Sequence, residues 1–294
     1  MIPAPTERHS CIAWRNLRAL PSNRHLPEET PVAITYRGST HAVMMATPAD
    51  LEDFATGFSL SEGAAATAAD VLGTEILEWD EGVELRVTLS DDAGTRVAER
   101  RRAMAGPVGC GLCGLDSLAE AARLPPPVVT DATFSARDLV EATATLSSFQ
   151  TLNGVTRAMH AAAFWSPRRA IETVREDVGR HNALDKLSGA LARTGCDAAG
   201  GAVIMTSRVS VELVQKTAIL GAPVLVAISA PTALAVRVAT AAGVTLACVT
   251  RRDGFDVFTH PDRIRFDDEA LAFAFASPGA PAARRPATCA SPAI

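Results

Sequence analysis

An α/β protein in two parts is what this sequence predicts: a β-rich α+β unit first, then a three-layer α/β unit. Three observations predict it. Beyond residue 200, short apolar runs alternate with helix-length segments. Before residue 90, apolar runs come in pairs around turn residues. Pro125-Pro126-Pro127 separates the two regimes. Alternating buried strands and helices imply a largely parallel sheet covered on both faces. Three successive prolines stop any helix and stiffen the chain. The predicted division is an extension over 1–27, a β-rich domain carrying a cysteine loop over 28–127, an α/β domain over 128–276 and a disordered tail over 277–294.

In the first part, Val32–Tyr36 and His41–Met45 read as strands joined by Arg37-Gly38-Ser39. A helix follows, with Thr47 able to cap it, Pro48 in its first turn, and Leu51, Phe54, Ala55 and Phe58 on one face, ending near Gly63. Glu75–Trp79 and Val83–Leu89 form a second hairpin around Asp80-Glu81-Gly82. An arginine run (Arg100, Arg101, Arg102), a glycine-rich cysteine loop and a helix over Asp116–Arg123 complete this part.

In the second part, Ala136–Leu152 has helical spacing, with Leu139, Ala142, Leu146 and Phe149 aligned. Strands at Met159–Trp165 and Ala170–Arg175 precede a helix through Leu184, Leu187 and Leu191. Strand Ala202–Thr206, helix Ser210–Leu220, strand Val224–Ser229, helix Thr232–Ala242 and strand Val244–Thr250 then alternate, and Phe255–Thr259 adds an edge strand.

Composition narrows the function classes. A chain of 294 residues, 48% hydrophobic, has ample length to bury a core. Its net charge of −5 argues against a nucleic-acid partner. The N-terminal stretch Met1–Asn23 shows no apolar signal-peptide core, and the uncharged run Ala218–Val236 is interrupted by Pro223 and Pro231. A soluble, cytoplasmic protein without a membrane partner is expected. Six cysteines are too sparse for a disulfide scaffold, so the thiols need individual explanations.

The sharpest of these is Gly109-Cys110-Gly111-Leu112-Cys113-Gly114. A structural zinc site would need a second ligand pair, which Cys11, Cys196, Cys248 and Cys289 do not offer. Inert core thiols do not suit a loop this rich in glycine. The functional reading is a reactive thiolate, favoured by the arginines upstream and the helix start downstream. Spacing alone does not separate disulfide chemistry from persulfide chemistry.

Polar motifs mark the ends of the predicted strands, where ligands bind in α/β sheets. Glu176-Asp177-Val178-Gly179-Arg180-His181 precedes a helix, and Asp177, Arg180 and His181 are expected to point toward the cleft; Asp185 and Lys186 could be helix-face ion pairs only. Thr206-Ser207-Arg208-Val209-Ser210 repeats the arrangement as an anion cradle, with Ser210 as helix cap and Arg208 as charge partner. Ser229-Ala230-Pro231-Thr232 supplies a third hydroxyl-bearing loop. A large phosphorylated ligand suits this set better than a small neutral one. Neither Gly-x-Gly-x-x-Gly nor a P-loop occurs. Zinc deaminase chemistry is excluded: Ala162 stands where the catalytic glutamate would be, and the cysteine pair precedes His160 instead of following it.

Taken together, these segments resemble the formate dehydrogenase accessory sulfurtransferase family, FdhD. The likeness rests on Glu28–Val32, Thr47–Phe58, Ser61–Gly63, Cys110–Gly114, Met159–Ala163, Glu176–Lys186, Ser207–Lys216, Ser229–Thr232 and Phe255–Thr259. It implies a second domain similar in fold to cytidine deaminases without their zinc. It also implies a sulfur carrier, working as a homodimer, that takes persulfide sulfur from a cysteine desulfurase. The sulfur would pass to the molybdenum bis-pterin guanine dinucleotide cofactor, which is cargo here, before that cofactor enters formate dehydrogenase. By the same resemblance Cys110 is the persulfide carrier, Cys113 its companion, and Phe255-Asp256-Val257-Phe258-Thr259-His260 a cofactor-contacting stretch. No resident metal is implied. The rival readings are a thiol-disulfide oxidoreductase and a cofactor-binding chaperone that transfers no sulfur. Two departures stand out: Thr156-Arg157-Ala158-Met159 replaces a Thr-Gly-Gly run before the histidine, and Pro107-Val108-Gly109 replaces serines before the first cysteine.

Overall fold

The computed structural model describes residues 2–95, 97 and 124–266. Cys110, Cys113, the arginine run, the helix expected over Asp116–Arg123 and the tail from 277 lie outside the described residues.

The chain opens with an antiparallel hairpin, β1 (Thr6–Arg15) and β2 (Arg18–Pro27), which forms a sheet of its own. The sequence reading placed no element here, because neither strand alternates cleanly between apolar and polar residues. A four-stranded sheet follows, built from β3 (Thr30–Tyr36), β4 (Ser39–Ala46), β5 (Val71–Trp79) and β6 (Gly82–Leu89) in the order β4-β3-β6-β5. Both expected hairpins are present, joined through a parallel β3–β6 pairing. Helix α1 (Leu51–Ser61) lays Leu51, Phe54, Ala55 and Phe58 on Val32, Ile34, Leu85 and Val87.

Thr47 does not cap α1, and Pro48 lies before its first turn. The cap position is Asp50, in the left-handed region and without a side-chain bond. The Thr47 hydroxyl instead accepts from the Val178 N–H at 3.1 Å. A long-range partner has taken the group that local spacing assigned to the helix.

The second part is a six-stranded sheet. Its strands are β8 (His160–Ser166), β9 (Ala170–Asp177), β10 (Ala202–Met205), β11 (Val224–Ala227), β12 (Thr245–Arg251) and β13 (Gly254–Val257), in the order β13-β12-β11-β10-β8-β9. Four strands share a direction, but only β10–β11 and β11–β12 are parallel neighbours. The sheet is mixed where a largely parallel one was expected. Tight turns at 167–169 and 252–253 join β8 to β9 and β12 to β13, and a tight turn can only reverse the chain.

Helices cover both faces, giving the three layers. On one side, α4 (Arg180–Thr194), α5 (Val211–Leu220) and α6 (Ala233–Ala242) pack Leu184, Leu187, Leu213 and Val238 over Val203, Met205, Leu225 and Leu246. On the other, α2 (Ala136–Thr145) packs Leu139 and Ala142 over Ile204, Val224 and Val226, the alternate residues of the same strands. The continuous helix expected over 136–152 is broken by a 3-10 turn at Leu146–Ser148 before α3 (Thr151–Thr156). Serines and threonines there favour local backbone bonds over helix. The buried Glu176 carboxylate fixes the restart, accepting from Leu152 N and Asn153 N at 2.8 Å each. The two-residue strands β7 (Phe134–Ser135) and β14 (Ile264–Arg265) pair beneath α2.

The two parts meet where α1 crosses α4 at backbone distance. A Cβ on Gly57 would lie 1.7 Å from the Asp185 carbonyl, and one on Gly189 would lie 1.9 Å from that of Asp53. Only glycine permits this approach.

Candidate functional site

One edge of the six-stranded sheet collects the carboxyl ends of β9, β10, β11 and β12, and with them the N-termini of α4, α5 and α6. His160, the first residue of β8, reaches the same edge because it pairs in register with Asp177. Orphan N–H groups and aligned helix dipoles make such an edge receptive to anions.

Asp177 is the first correction. It was expected to face the cleft but is fully buried, and protein partners occupy both of its oxygens. Oδ1 accepts from Gly179 N at 2.7 Å and Asn182 Nδ2 at 3.0 Å, while Oδ2 accepts from Thr47 N at 2.9 Å and pairs with Lys186 Nζ at 2.7 Å. Lys186 and Asn182 also donate to the Thr47 and Met45 carbonyls at 2.8 Å each. Asp177, Asn182 and Lys186 therefore clamp the segment between β4 and α1 onto the start of α4.

A second buried pair is formed by the neighbouring residue of α4, Asp185. Lys216 Nζ is 2.9 Å from Asp185 and donates to Ser61 Oγ at 2.8 Å. Burial pushes the Asp185 carboxyl up, against the pull of Lys216. Arg175 binds Asp53 at 2.7 Å at the other end of the contact.

Of the Glu176–Lys186 motif, Arg180 and His181 are left half-buried at the edge. His181 Nε2 lies 3.2 Å from Ser210 Oγ and 3.4 Å from Glu212 Oε2, which ties the start of α4 to the start of α5. Burial, then the Arg180 guanidinium, holds the His181 imidazole below its usual range. The same two causes lower His160, with Asp177 opposing them. Arg180 thus stands close to two imidazoles that are neutral at pH 7.

The Ser207–Ser210 loop lies beside this cluster, following β10. Ser207 is buried and its hydroxyl donates to the Arg208 carbonyl at 3.0 Å, whereas the Arg208 side chain is exposed. Ser210 occupies the α5 cap position, but its hydroxyl faces His181. Thr232 does cap α6, accepting from Ala235 N at 3.1 Å.

Arg251 was missed by sequence reasoning. It ends β12 and donates across the edge to the Ile228 carbonyl at 2.7 Å. Val249, two residues earlier, has φ 57° inside a bulge of the β12–β13 ladder. A β-branched residue in the left-handed region stores strain, and such strain gathers at functional sites. His160 was weighed in the sequence without a role; its place here follows from the β8–β9 register, which spacing does not reveal.

The stretch Phe255–His260 is not brought together with this cluster. Asp256 pairs in register with Cys248 near the cluster edge, but the chain then runs back along β12. The buried Thr259 hydroxyl donates to Val244 O at 2.7 Å and accepts from Leu246 N at 2.8 Å, and His260 Nε2 lies 3.1 Å from Thr240 O at the end of α6. Phe258, Thr259 and His260 stand at the opposite edge, a β12 length or about 20 Å from Arg251.

Cys196 and Cys248 are pushed away from the thiolate form. Burial pushes the Cys248 thiol up to about 12, and burial, then the Glu172 charge, raises that of Cys196.

Fold and edge define a class: an α/β protein whose strand ends gather arginine, histidine and hydroxyl groups around helix N-termini, as an anionic ligand requires. The chain belongs to the FdhD/NarQ family, whose model matches residues 27–265. It is 50% identical over 264 residues to the sulfur carrier protein FdhD of Agrobacterium fabrum, covering 90% of this chain and 97% of that one. It is 52% identical over 244 residues to the protein of the same name from Brucella abortus, covering 83% and 91%. A crystal structure from Desulfotalea psychrophila, of a protein described as a formate dehydrogenase accessory protein, superposes with a TM-score of 0.68 at 24% identity, covering 88% of this chain and 99% of that one. That likeness carries the fold. Among the described residues no helix is long and apolar enough to cross a membrane.

Proposed function

We propose that this protein is a sulfur carrier in formate dehydrogenase maturation, acting in the cytoplasm as a pair of chains. It takes sulfur from the persulfide of a cysteine desulfurase and delivers it to the molybdenum bis-pterin guanine dinucleotide cofactor. The observation that carries this reading is the edge where Arg180, His160, His181 and Ser210 meet two helix N-termini, in a chain whose relatives are named sulfur carriers. In the first step the Cys110 thiolate attacks the outer sulfur of the desulfurase persulfide. The desulfurase cysteine leaves as thiolate, and Cys110 becomes the persulfide. Cys113 is the hazard in the second step: its attack on Cys110 would release sulfide and leave a disulfide. Productive delivery needs the persulfide to meet the cofactor metal first, with the cofactor's phosphates held near Arg180, Arg208 and Ser210.

Mass spectrometry after incubation with a cysteine desulfurase and cysteine tests this. One added sulfur on Cys110 is expected. A Cys110–Cys113 disulfide with neither added sulfur nor released sulfide would instead make the chain a thiol-disulfide oxidoreductase. An unchanged mass with retained cofactor binding would make it a chaperone. Cys110→Ala is expected to abolish formate dehydrogenase activation while GDP binding, measured by calorimetry, stays at the wild-type value.

A further inference from the structure

We propose that the β1–β2 hairpin is an arm that clasps a second copy of this chain, landing on that copy's acidic β5–β6 ribbon. The inference rests on the reading above that the chain works in pairs, and adds the surface by which it does so.

Among the described residues the hairpin's strands pair only with each other, in a sheet of two strands, and β2 packs against α3. An isolated hairpin is marginally stable in water and normally needs cover. This one instead exposes Ile12, Trp14, Leu17, Leu20 and Leu26. Its turn is costlier still: Asn16 and Leu17 both take positive φ, 50° and 62°, and Leu17 is 84% exposed. A large apolar residue in the left-handed region, facing water, carries both a backbone and a solvation cost, with no cover among the described residues. Contact with a partner removes the second cost.

Charge selects the partner. Between Thr6 and Pro27 four arginines (Arg8, Arg15, Arg18, Arg24) face a single acid, Glu7, a net +3 that leaves −8 on the rest of the chain. The ribbon β5–β6 is its complement, with Glu75, Glu78, Asp80, Glu81 and Glu84 against Arg86. It too exposes large apolar side chains, Leu72 and Trp79, and β5 is the outer strand of its sheet. Ile2 packs against the core beneath that sheet, so each arm is rooted near the ribbon it offers to its partner. A two-fold exchange follows, in which one contact occurs twice. Ten-residue strands make each arm about 30 Å long and about 10 Å wide. Two such faces with their landing surfaces bury roughly 1,200 Å², at the lower end of the ~1,200–2,000 Å² of stable pairs.

Sedimentation equilibrium on the full chain tests the proposal. The wild type is expected to be a dimer, with Trp14→Ser/Leu20→Ser raising the dimer Kd at least about tenfold. Arg15→Glu/Arg18→Glu and Asp80→Arg/Glu81→Arg should each weaken pairing, and an equimolar mixture of the two should recover it. That recovery separates a broken contact from a misfolded arm. A dimeric wild type whose arm variants pair equally well overturns the arm and leaves the pairing intact. A monomeric wild type at micromolar concentration overturns the pairing itself, and the arm with it; binding of that monomer to anionic lipid vesicles would reassign the hairpin to membranes.

Discussion

Lys186 has no water-accessible side chain, and Asp177 is what makes its charge tolerable there. A buried ion pair gives little net stability over an apolar replacement, but leaving one member unpaired is costly. Lys186→Met is therefore expected to destabilise the fold by about 3–5 kcal/mol in urea denaturation, with Asp177→Asn/Lys186→Met recovering part of the loss. Such an outcome would show that these acidic and basic residues hold the site's frame. Arg180→Ala should weaken GDP binding by about tenfold or more while leaving the urea midpoint near wild type. The two histidines add a pH signature. Burial and Arg180 keep both imidazoles neutral at pH 7, and a bound phosphate would favour their charged form, so binding takes up protons. GDP affinity should then rise as pH falls from 8 toward 6, and the His160→Asn/His181→Asn double variant should flatten that rise in calorimetric titrations.

Helix packing shows what local sequence can and cannot convey. Leu51, Phe54, Ala55 and Phe58 announce the face of α1 that lies on the sheet. Nothing in their spacing announces Gly57, which belongs to the opposite face and meets Gly189 of a helix more than a hundred residues away. Gly57→Ala or Gly189→Ala forces α1 and α4 apart and should cost about 1–3 kcal/mol or more, read as a lower denaturant midpoint. The strands and helices of the second part were legible because buried runs and amphipathic periods are local properties. Sheet direction was not, since it depends on which strands a turn or a helix connects. The site was legible in part. Residue types at strand ends pointed to Arg180, His181, Ser207 and Ser210, but the burial of Asp177 and the arrival of His160 and Arg251 are products of register and long-range pairing. Phe255–His260 shows the converse of a cluster: a stretch contiguous in sequence spans the sheet from one edge to the other.

At the scale of the whole molecule, the chain divides at Pro125-Pro126-Pro127 only in the sense of changing architecture. Val128 enters the second part by donating its N–H to Ala242 O at 2.9 Å. Hydrogen bonds from two buried ion pairs to Thr47 and Ser61, the Arg175–Asp53 pair and a glycine crossing then tie α1 and the segment before it to the second part. Links of this kind cannot be opened one at a time, because parting the helices strips the buried Asp177–Lys186 and Asp185–Lys216 pairs of their Thr47 and Ser61 hydrogen bonds and leaves Asp53 apart from Arg175 in a half-dry gap. A hinge between the two parts would have to pass through that state. The consequence is calorimetric: the four-stranded sheet should have no melting temperature of its own. Heating should give one transition whose van't Hoff and calorimetric enthalpies agree, and the N-terminal part expressed alone should fail to fold.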